Sequence, residues 1–231
     1  MVIAIWGRDG AGKSTLSDML GVFFSKKGIC IVIDTDLTQP TIPYRCPGEA
    51  QKGVKAQSLG HALTGAVVTD IRQYLCQHSS HKGLFYAGLQ AGDDFLSYEL
   101  GLGAESGARN FIDRCAEQAD VVILDLSGQR SDPFLPAALE ADHLILSIVP
   151  DMQGLCWFLA VKPLLERMGA LERALSVASM ARPEQDVAGV EKAGGLVFAA
   201  QLPWVPDTGS GKYAKALKPL LSVISGGDVH A

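Results

Sequence analysis

The chain begins with VIAIW (2–6), a continuous apolar run, and continues into GRDGAGKST (7–15). The second segment contains the spacing Gly7-x4-Gly12-Lys13-Ser14. Apolar residues then recur at helical spacing over 13–27, with polar residues between them. A glycine-rich loop between a buried strand and a helix is the context that a phosphate-binding loop requires.

The residue types in this loop suit a polyphosphate. Gly7, Gly10 and Gly12 allow the backbone to curl so that successive N–H groups point inward at phosphate oxygens. The positive end of the following helix adds to that field. Lys13 is expected to reach the β- and γ-phosphates, and the Ser14 hydroxyl is placed to bind Mg²⁺.

An acidic residue ends the apolar run VVILD (121–125). A carboxylate at the carboxyl end of a parallel strand can hold a magnesium-bound water, which predicts a metal role for Asp125. The segment 125–128 also reads DxxG, and the N–H of Gly128 is expected to meet a γ-phosphate.

A second acidic segment, Asp34-Thr35-Asp36, follows the run ICIVID (29–34). A carboxylate there could orient an attacking water or contact the metal. Asp34 could equally cap a turn at the strand end. For Asp36 we favour the functional role, because the neighbouring strand carries the phosphate loop.

Seven apolar runs predict buried strands, at 2–6, 29–34, 83–88, 121–125, 143–149, 175–179 and 196–200. Amphipathic segments predict helices at 13–27, 57–77, 106–118, 152–168 and 210–225. Residues 37–56 form the longest irregular segment. This alternation predicts a three-layer, doubly wound α/β fold with a mostly parallel sheet of seven or eight strands and helices on both faces.

The chain has 231 residues and a formal net charge of −5, and we expect one domain over 1–231. The acidic balance disfavours a protein that mainly coats DNA, although a local basic patch stays open. The apolar first strand starts at once, so no signal peptide is expected. No apolar run approaches the ~20 residues of a membrane span, and peripheral membrane contact is not favoured. A cytoplasmic location is predicted.

Taken together, these motifs resemble the ParA/MinD group of deviant Walker A ATPases, within the class that includes nitrogenase iron protein and signal-recognition GTPases. The segments that carry the resemblance are RDGAGKS (8–14), DTD (34–36), VVILD (121–125), ADHLILSIVP (141–150) and LPWVPD (202–207). The irregular loop motif is most similar to the CpaE/TadZ-like branch.

The resemblance implies a P-loop ATPase that uses ATP and Mg²⁺. It implies that the loop residues Gly7, Asp9, Gly10, Ala11, Gly12, Lys13, Ser14 and Thr15 contact the nucleotide, with Lys13 also catalytic. Asp36 would be the hydrolytic carboxylate, and Ser14, Asp36 and Asp125 would serve the metal. Pro203 or Val205 would contact the adenine ring. ATP is favoured over GTP because the guanine-reading [NT]KxD motif is absent.

Arg8 and Asp9 depart from the family pattern. The family's signature lysine, which crosses a nucleotide-sandwiched dimer interface, falls at Arg8, and a glycine of the family falls at Asp9. Arg8 could act as an intersubunit arginine finger or could be a solvated surface residue. A carboxylate beside ATP is repulsive unless Arg8 neutralises it, so an Arg8–Asp9 pair could be a latch or the mark of a branch that lost normal dimerisation.

The resemblance therefore predicts a slow, partner-stimulated switch ATPase. Its ATP-dependent homodimer would control the binding of an unidentified protein partner in positioning, partitioning or pilus assembly. DNA binding is open but not favoured, because only Lys212, Lys215 and Lys218 are grouped and these could be the solvated side of a helix.

Other functions stay open at this stage. A small-molecule kinase or ATP-dependent ligase on the same scaffold would need a second-substrate pocket near 37–56 and 88–98. A degenerate scaffold that binds nucleotide but barely hydrolyses it would be consistent with Asp9. A metallochaperone is disfavoured because the chain has no CxC or CxxC spacing.

Overall fold

The computed structural model describes residues 1–39, 41–46, 56–64, 68–90, 92, 98, 100–206 and 211–226. Its strands are β1 (Val2–Trp6), β2 (Cys30–Asp34), β3 (Cys76–Gln77), β4 (Leu84–Ala87), β5 (Val121–Asp125), β6 (His143–Ile148), β7 (Ala174–Ala181) and β8 (Phe198–Pro203). They form one sheet of 8 strands in the order β3-β4-β2-β5-β1-β6-β7-β8. Every neighbouring pair is parallel except β3 and β4.

Strand register brings the acidic strand ends to the phosphate loop. Strand β1 lies between β5 and β6, and Ile5 pairs with Asp125 on one side and with Ile145 on the other. On the next strand along, Asp34 is the register partner of Asp125. The carboxyl ends of β1, β2 and β5 therefore meet at one edge, where ligands bind in open α/β sheets.

The helices are α1 (Lys13–Phe24), α2 (Ile42–Arg45), α3 (Leu59–Leu63), α4 (Ala104–Ala116), α5 (Leu135–Ala138), α6 (Met152–Arg167), α7 (Val187–Gly194) and α8 (Gly211–Ile224). Residues of α1, α2 and α8 share one buried cluster with the sheet. Residues of α3 to α7 share the cluster on the opposite face. The sheet is thus covered on both sides, which confirms the predicted three-layer fold.

The continuous apolar runs are explained by this two-sided burial. In β1, Ile3 and Ile5 belong to the cluster with α1 and α8, while Ala4 and Trp6 belong to the other. All four are at most 1% exposed. A strand buried on both faces shows no polar alternation, as expected for a parallel sheet.

The predicted helix over 57–77 is wrong. The structure has the short helix α3, then a 3-10 turn over Ile71–Tyr74, then β3. Residues 65–67 lie outside the described part. The Asp70 side chain accepts a hydrogen bond from the Arg72 N–H and caps the 3-10 turn, so it competes with a continuous helix. The helical apolar spacing therefore reflects separate segments that pack on the same face.

Further differences concern short elements. The antiparallel edge strand β3 and the helices α5 and α7 have no counterpart among the predicted elements. The irregular segment 37–56 contains helix α2, while residues 40 and 47–55 lie outside the described part. Most of the proposed second-substrate region at 88–98 also lies outside it.

Across the described ranges, we find no helix whose length and apolar character would let it cross a bilayer. The three lysines of α8, Lys212, Lys215 and Lys218, are exposed, while Tyr213 and Leu217 face the core. These lysines form the solvated side of an amphipathic helix.

Phe111→Ala tests the packing of α4. Phe111 is 0% exposed, and its ring meets Tyr74 edge to face with a centroid distance of 5.4 Å. We expect the substitution to lower the free energy of unfolding by about 3–5 kcal/mol, because it leaves a cavity in the core. Urea denaturation would measure this loss. Leu102→Ala, at a fully exposed position, should change stability by less than about 0.5 kcal/mol.

Candidate functional site

The loop between β1 and α1 is shaped by left-handed glycines. Gly10 and Gly12 have φ angles of 73° and 75°, a conformation that costs glycine little. The Ala11 N–H donates to the Arg8 carbonyl over 3.2 Å and closes a turn. Helix α1 begins at Lys13, directly after Gly12, so its unsatisfied first N–H groups lie beside the loop.

Strands β6 and β7 hold this loop in place. The Ser147 hydroxyl donates to the Ala11 carbonyl over 2.7 Å and shares a second hydrogen bond of 2.7 Å with the Ser179 hydroxyl. Ser147 and Ser179 are buried. A Cβ atom at Gly7 would collide with the Ser147 carbonyl oxygen. The loop is thus tied to the centre of the sheet at close range.

Lys13 lies at the base of the loop with a largely buried side chain. Its ammonium group donates to the Arg8 carbonyl over 3.0 Å and lies 3.9 Å from Asp9 Oδ1. Burial lowers the pKa of Lys13, while Asp125 and Asp9 oppose that shift. The neighbouring carboxylates therefore favour the charged form that binds phosphate.

One cavity of about 280 Å³ brings the predicted phosphate-site residues together. Its lining includes Asp9, Gly10, Lys13, Ser14, Asp34, Asp36, Thr38, Asp125, Ser127 and Gly128. Loop amides, one ammonium group, a hydroxyl and several carboxylates thus face a common space. This is the set that a phosphate chain and its metal would need.

A second pocket of about 210 Å³ lies on the other side of the loop. Its lining is Gly12, Thr15, Ser179, Met180, Pro203, Trp204, Val205 and Tyr213. It includes both residues that the sequence suggested for base contact, Pro203 and Val205. Its apolar and aromatic character suits a nucleobase.

Met180 and Trp204 line this pocket and were missed from the sequence. Met180 has a left-handed backbone (φ 54°), and its Cγ would lie 3.2 Å from a Cβ at Gly12. Trp204 is 47% exposed, and the Arg182 guanidinium lies 5.2 Å from its ring centroid. The left-handed backbone conformation of Met180 depends on tertiary packing, and the sequence gives no signal for it.

The acidic segment after β2 forms two successive turns. Asp34 Oδ1 accepts from the Asp36 N–H over 3.1 Å, and the Thr41 hydroxyl donates to Asp34 Oδ2. Asp36 Oδ1 accepts from the Thr38 N–H over 2.8 Å. Asp34 therefore has the turn-capping role that the sequence left open. Burial, and then the charge of Asp125, raise the pKa of Asp34 to about 7.

Asp125 is engaged by a residue that the sequence analysis did not select. It forms a buried ion pair with Arg45 of α2. Arg45 lies in the proline- and glycine-rich segment after β2 and belongs to no recognised motif. Only the folded chain brings it to the end of β5.

The DLSG segment is held by a buried carboxylate, Asp132. The Ser127 N–H and hydroxyl donate to Asp132 Oδ2 over 3.0 and 2.8 Å. The Thr35 hydroxyl donates to the same oxygen, and the Phe134 N–H donates to Oδ1 over 2.9 Å. Asp132 thereby joins the segments that follow β2 and β5. The sequence offered no signal for this residue.

Comparison with known proteins identifies the fold. No protein-family model matches the chain, and no curated protein matches it in sequence. MinD from Pyrococcus horikoshii complexed with Mg-ADP superposes with a TM-score of 0.75 at 16% identity, covering 100% of this chain and 98% of that one. A plasmid partition protein from Borrelia burgdorferi bound to AMPPNP gives 0.79 at 14% identity, covering 97% and 98%. A Cyanothece McdA–ATP complex gives 0.72 at 15% identity, covering 97% and 95%. The chain has the MinD/ParA fold.

Within this MinD/ParA fold, Arg8 and Asp9 do not form the side-chain pair that the sequence left open. Arg8 Nη2 lies 3.2 Å from Asp151 Oδ2, and Nη1 donates to the Asp9 carbonyl over 3.2 Å. Asp151 also caps α6, because its Oδ1 accepts from the Gly154 N–H over 2.7 Å. The Asp9 side chain is 89% exposed and lies near Lys13 instead. The Arg8 guanidinium is therefore paired with Asp151 and does not neutralise the Asp9 carboxylate.

Gly7→Ala tests how closely the loop of the MinD/ParA fold must approach β6. The Cβ of an alanine at position 7 would collide with the Ser147 backbone, so the loop or β6 must shift. We expect the free energy of unfolding to fall by about 1–3 kcal/mol. Gly101→Ala is the matched control, because a Cβ there would have no neighbour within 4 Å. Thermal unfolding of both variants would make the comparison, and equal losses would contradict the close approach.

Proposed function

We propose that this chain is a switch ATPase of the ParA/MinD type that binds and hydrolyses ATP with Mg²⁺. The observation that carries the proposal is the cavity shared by Lys13, Ser14, Asp36 and the loop that ends at Gly12. The base pocket opens from the same loop at Gly12 and Thr15. An ATP molecule that follows the loop would place its phosphates in the cavity and its base in the pocket.

Each loop residue has a defined part in this proposal. The amides of Gly10 and Gly12 and the start of α1 would bind phosphate oxygens. The Ala11 N–H would join them only after leaving the Arg8 carbonyl. Lys13 would contact the terminal phosphates once its ammonium leaves the Arg8 carbonyl. Gly128, which approaches Asp9 across the cavity, would offer its N–H to the γ-phosphate.

The donor set fits magnesium in part. Ser14 and Asp36 offer hard oxygen ligands in the same cavity, and Mg²⁺ usually takes one or two protein oxygens together with water and phosphate. These two residues would hold the ion, which would offset the negative charge of the phosphates. Asp125 fits less well, because Arg45 occupies its carboxylate. Asp36 would also orient the attacking water for hydrolysis.

Arg8 is the residue proposed to act across a dimer. Its ion pair with Asp151 is partly exposed, with side-chain exposures of 26% and 36%. Such pairs contribute about 0–1 kcal/mol, so a phosphate of a bound nucleotide could displace Asp151. We infer that ATP-dependent dimerisation exposes a surface for a protein partner in positioning, partitioning or pilus assembly. A cytoplasmic location and the CpaE/TadZ-like branch stay predictions.

A second candidate is a scaffold that binds nucleotide but hydrolyses it very slowly. The exposed Asp9 carboxylate in the cavity favours it, because a negative charge near the phosphates opposes their binding. Single-turnover hydrolysis with and without added partner proteins would separate the two candidates. A small-molecule kinase or ligase stays open as an alternative, and turnover that needs no macromolecular partner would favour it.

Lys13→Ala and Asp36→Ala test the site. Lys13→Ala should weaken ATP binding by at least about 100-fold, because it removes the buried ammonium that faces the phosphates. Asp36→Ala should keep ATP affinity within about tenfold and slow hydrolysis by at least about 100-fold. Calorimetry and single-turnover assays would measure these effects, with exposed Lys82→Ala as the control. Normal ATP affinity in the Lys13 variant would refute the site assignment.

Arg8→Ala tests the dimer. In the Asp36→Ala background, which should retain the triphosphate, ATP is expected to convert the chain to a dimer, and Arg8→Ala should abolish that conversion. Arg8→Lys should retain it, because a lysine also carries the charge. Light scattering with ATP, with ADP and without nucleotide would record the mass. An unaltered ATP-dependent dimer in Arg8→Ala would make Arg8 a surface residue.

A further inference from the structure

Arg45 has an unusual environment: its guanidinium group lies among three carboxylates and is only 3% exposed. Nη2 contacts Asp125 directly and lies 4.0 Å from Asp34 Oδ2. Nη1 lies 3.7 Å from Asp18 Oδ1. Burying an arginine in this way requires close compensation of its charge, and these carboxylates provide it.

Neighbouring residues of helix α2 are buried around Arg45. Ile42 and Cys46, on either side of it, are 2% and 3% exposed. The Thr41 hydroxyl binds Asp34, and Ile42 packs so tightly that its Cδ1 would lie 3.0 Å from a Cβ at Gly88. The residues around Arg45 are thus anchored to the core and to Asp34.

The guanidinium plane also packs on an aromatic ring. The Arg45 Cζ lies 5.5 Å from the ring centroid of Tyr86. The Tyr86 hydroxyl in turn donates to Asp18 Oδ1 over 3.1 Å. Tyr86 thus contacts the cation and one of its anions together, which fixes their relative position.

Arg45 lies behind the wall of the phosphate cavity. Asp34 and Asp125 are part of that wall, whereas Arg45 and Asp18 are not among the described residues that line it. The guanidinium therefore compensates the charge of wall residues from the protein side. It does so without taking up space that a ligand would need.

Negatively charged side chains outnumber positively charged ones among the described residues that line the cavity. Asp9, Asp34, Asp36 and Asp125 line the cavity, while Lys13 is the one cationic side chain among the described lining residues. A triphosphate adds further negative charge to the same space. Without Arg45, Lys13 alone would face this excess.

We propose that Arg45 is a resident cation of the phosphate site, which lets the triphosphate enter without a bound metal ion and keeps free divalent cations off Asp34 and Asp125. The inference rests on the proposed function and extends it. A guanidinium stays charged at all physiological pH values, so this compensation is permanent. Arg45 is thus a positioning residue that acts through the two wall carboxylates.

A divalent cation would then bind only when the phosphates of a nucleotide are present. In the free protein, the Arg45 charge satisfies Asp125, and a divalent cation gains little from binding there. With Arg45 removed, Asp18, Asp34 and Asp125 would lose the cation that they share. Such a group of oxygens attracts divalent cations and repels free phosphate.

Arg45→Met is the first test, because methionine keeps a long apolar side chain against Tyr86 but has no charge. Two quantities would be measured: binding of Mn²⁺ alone, by electron paramagnetic resonance, and ATP affinity in Mg²⁺ and in EDTA, by calorimetry. The wild-type chain should show no Mn²⁺ binding without nucleotide and should lose at most about tenfold in ATP affinity in EDTA. The variant should gain a Mn²⁺ site and lose at least about tenfold more ATP affinity in EDTA than in Mg²⁺.

Arg72→Met is the matched control. Arg72 also pairs with an aspartate, Asp70, at 2.8 Å, but its side chain is 77% exposed. The control should behave like the wild-type chain in both measurements. Arg45→Lys, which restores the charge, should recover most of the ATP affinity in EDTA.

Asp18→Asn is a second test, which still applies if Arg45→Met does not fold. Asp18 lies behind the cavity wall, and an asparagine oxygen can still accept from the Tyr86 hydroxyl. Removing this negative charge leaves more of the Arg45 charge to Asp34 and Asp125, so ATP affinity in EDTA should rise. A merely structural role for the cluster predicts losses in both the Arg45 and Asp18 variants.

The outcomes are distinguishable from failure of the proposed function. If the wild-type chain binds no ATP under any condition, the proposed function is wrong and this inference falls with it. If ATP binds but folded Arg45→Met gains no Mn²⁺ site and keeps the wild-type dependence on Mg²⁺, the role of Arg45 alone is refuted. If Arg45→Met does not fold, Asp18→Asn decides, and unchanged or weaker ATP binding in EDTA overturns the inference.

Discussion

The hydrogen bond from the Ser147 hydroxyl to the Ala11 carbonyl is the constraint on which the site depends. It joins the middle of the glycine loop to β6, a central strand of the sheet. Gly7 makes this approach feasible, because any side chain there would meet the Ser147 backbone. The sheet thus fixes the direction of the loop amides before any ligand arrives, which is the preorganisation that phosphate binding needs.

Charge balance is the second organising feature. The register of β2 and β5 places Asp34 directly beside Asp125, and two buried carboxylates side by side repel each other. Arg45 resolves this conflict from one side and Lys13 lies on the other. Asp34 and Asp125, which resemble metal ligands in the sequence, therefore belong to a cluster of anionic and cationic side chains.

Local features of the site could be predicted from the sequence because they are contiguous. The glycine spacing, Lys13 and Ser14 lie within one turn between β1 and α1. Asp125 ends an unmistakable apolar strand. The fold followed from the alternation of buried strands and amphipathic segments, and that prediction was confirmed in its layers and its mostly parallel sheet.

Other features depend on contacts between distant parts of the chain and could not be predicted. Arg8 and Asp151 are 143 positions apart, so the sequence could not show that Asp151 is the carboxylate that Arg8 contacts. Arg45 reaches Asp125 only because α2 folds back over the sheet. The helical apolar spacing over 57–77 was misleading because Asp70 begins a separate 3-10 turn, and an edge strand follows soon after.

The two oxygens of Asp151 have separate partners, and this division has a mechanical consequence. Oδ1 caps the N-terminus of α6 by accepting from the Gly154 N–H, while Oδ2 alone contacts Arg8. The arginine can therefore depart without uncapping the helix, so the departure leaves the first turn of α6 intact. The Arg8 side chain can thus rearrange locally while the loop backbone, the sheet and its helices keep their positions.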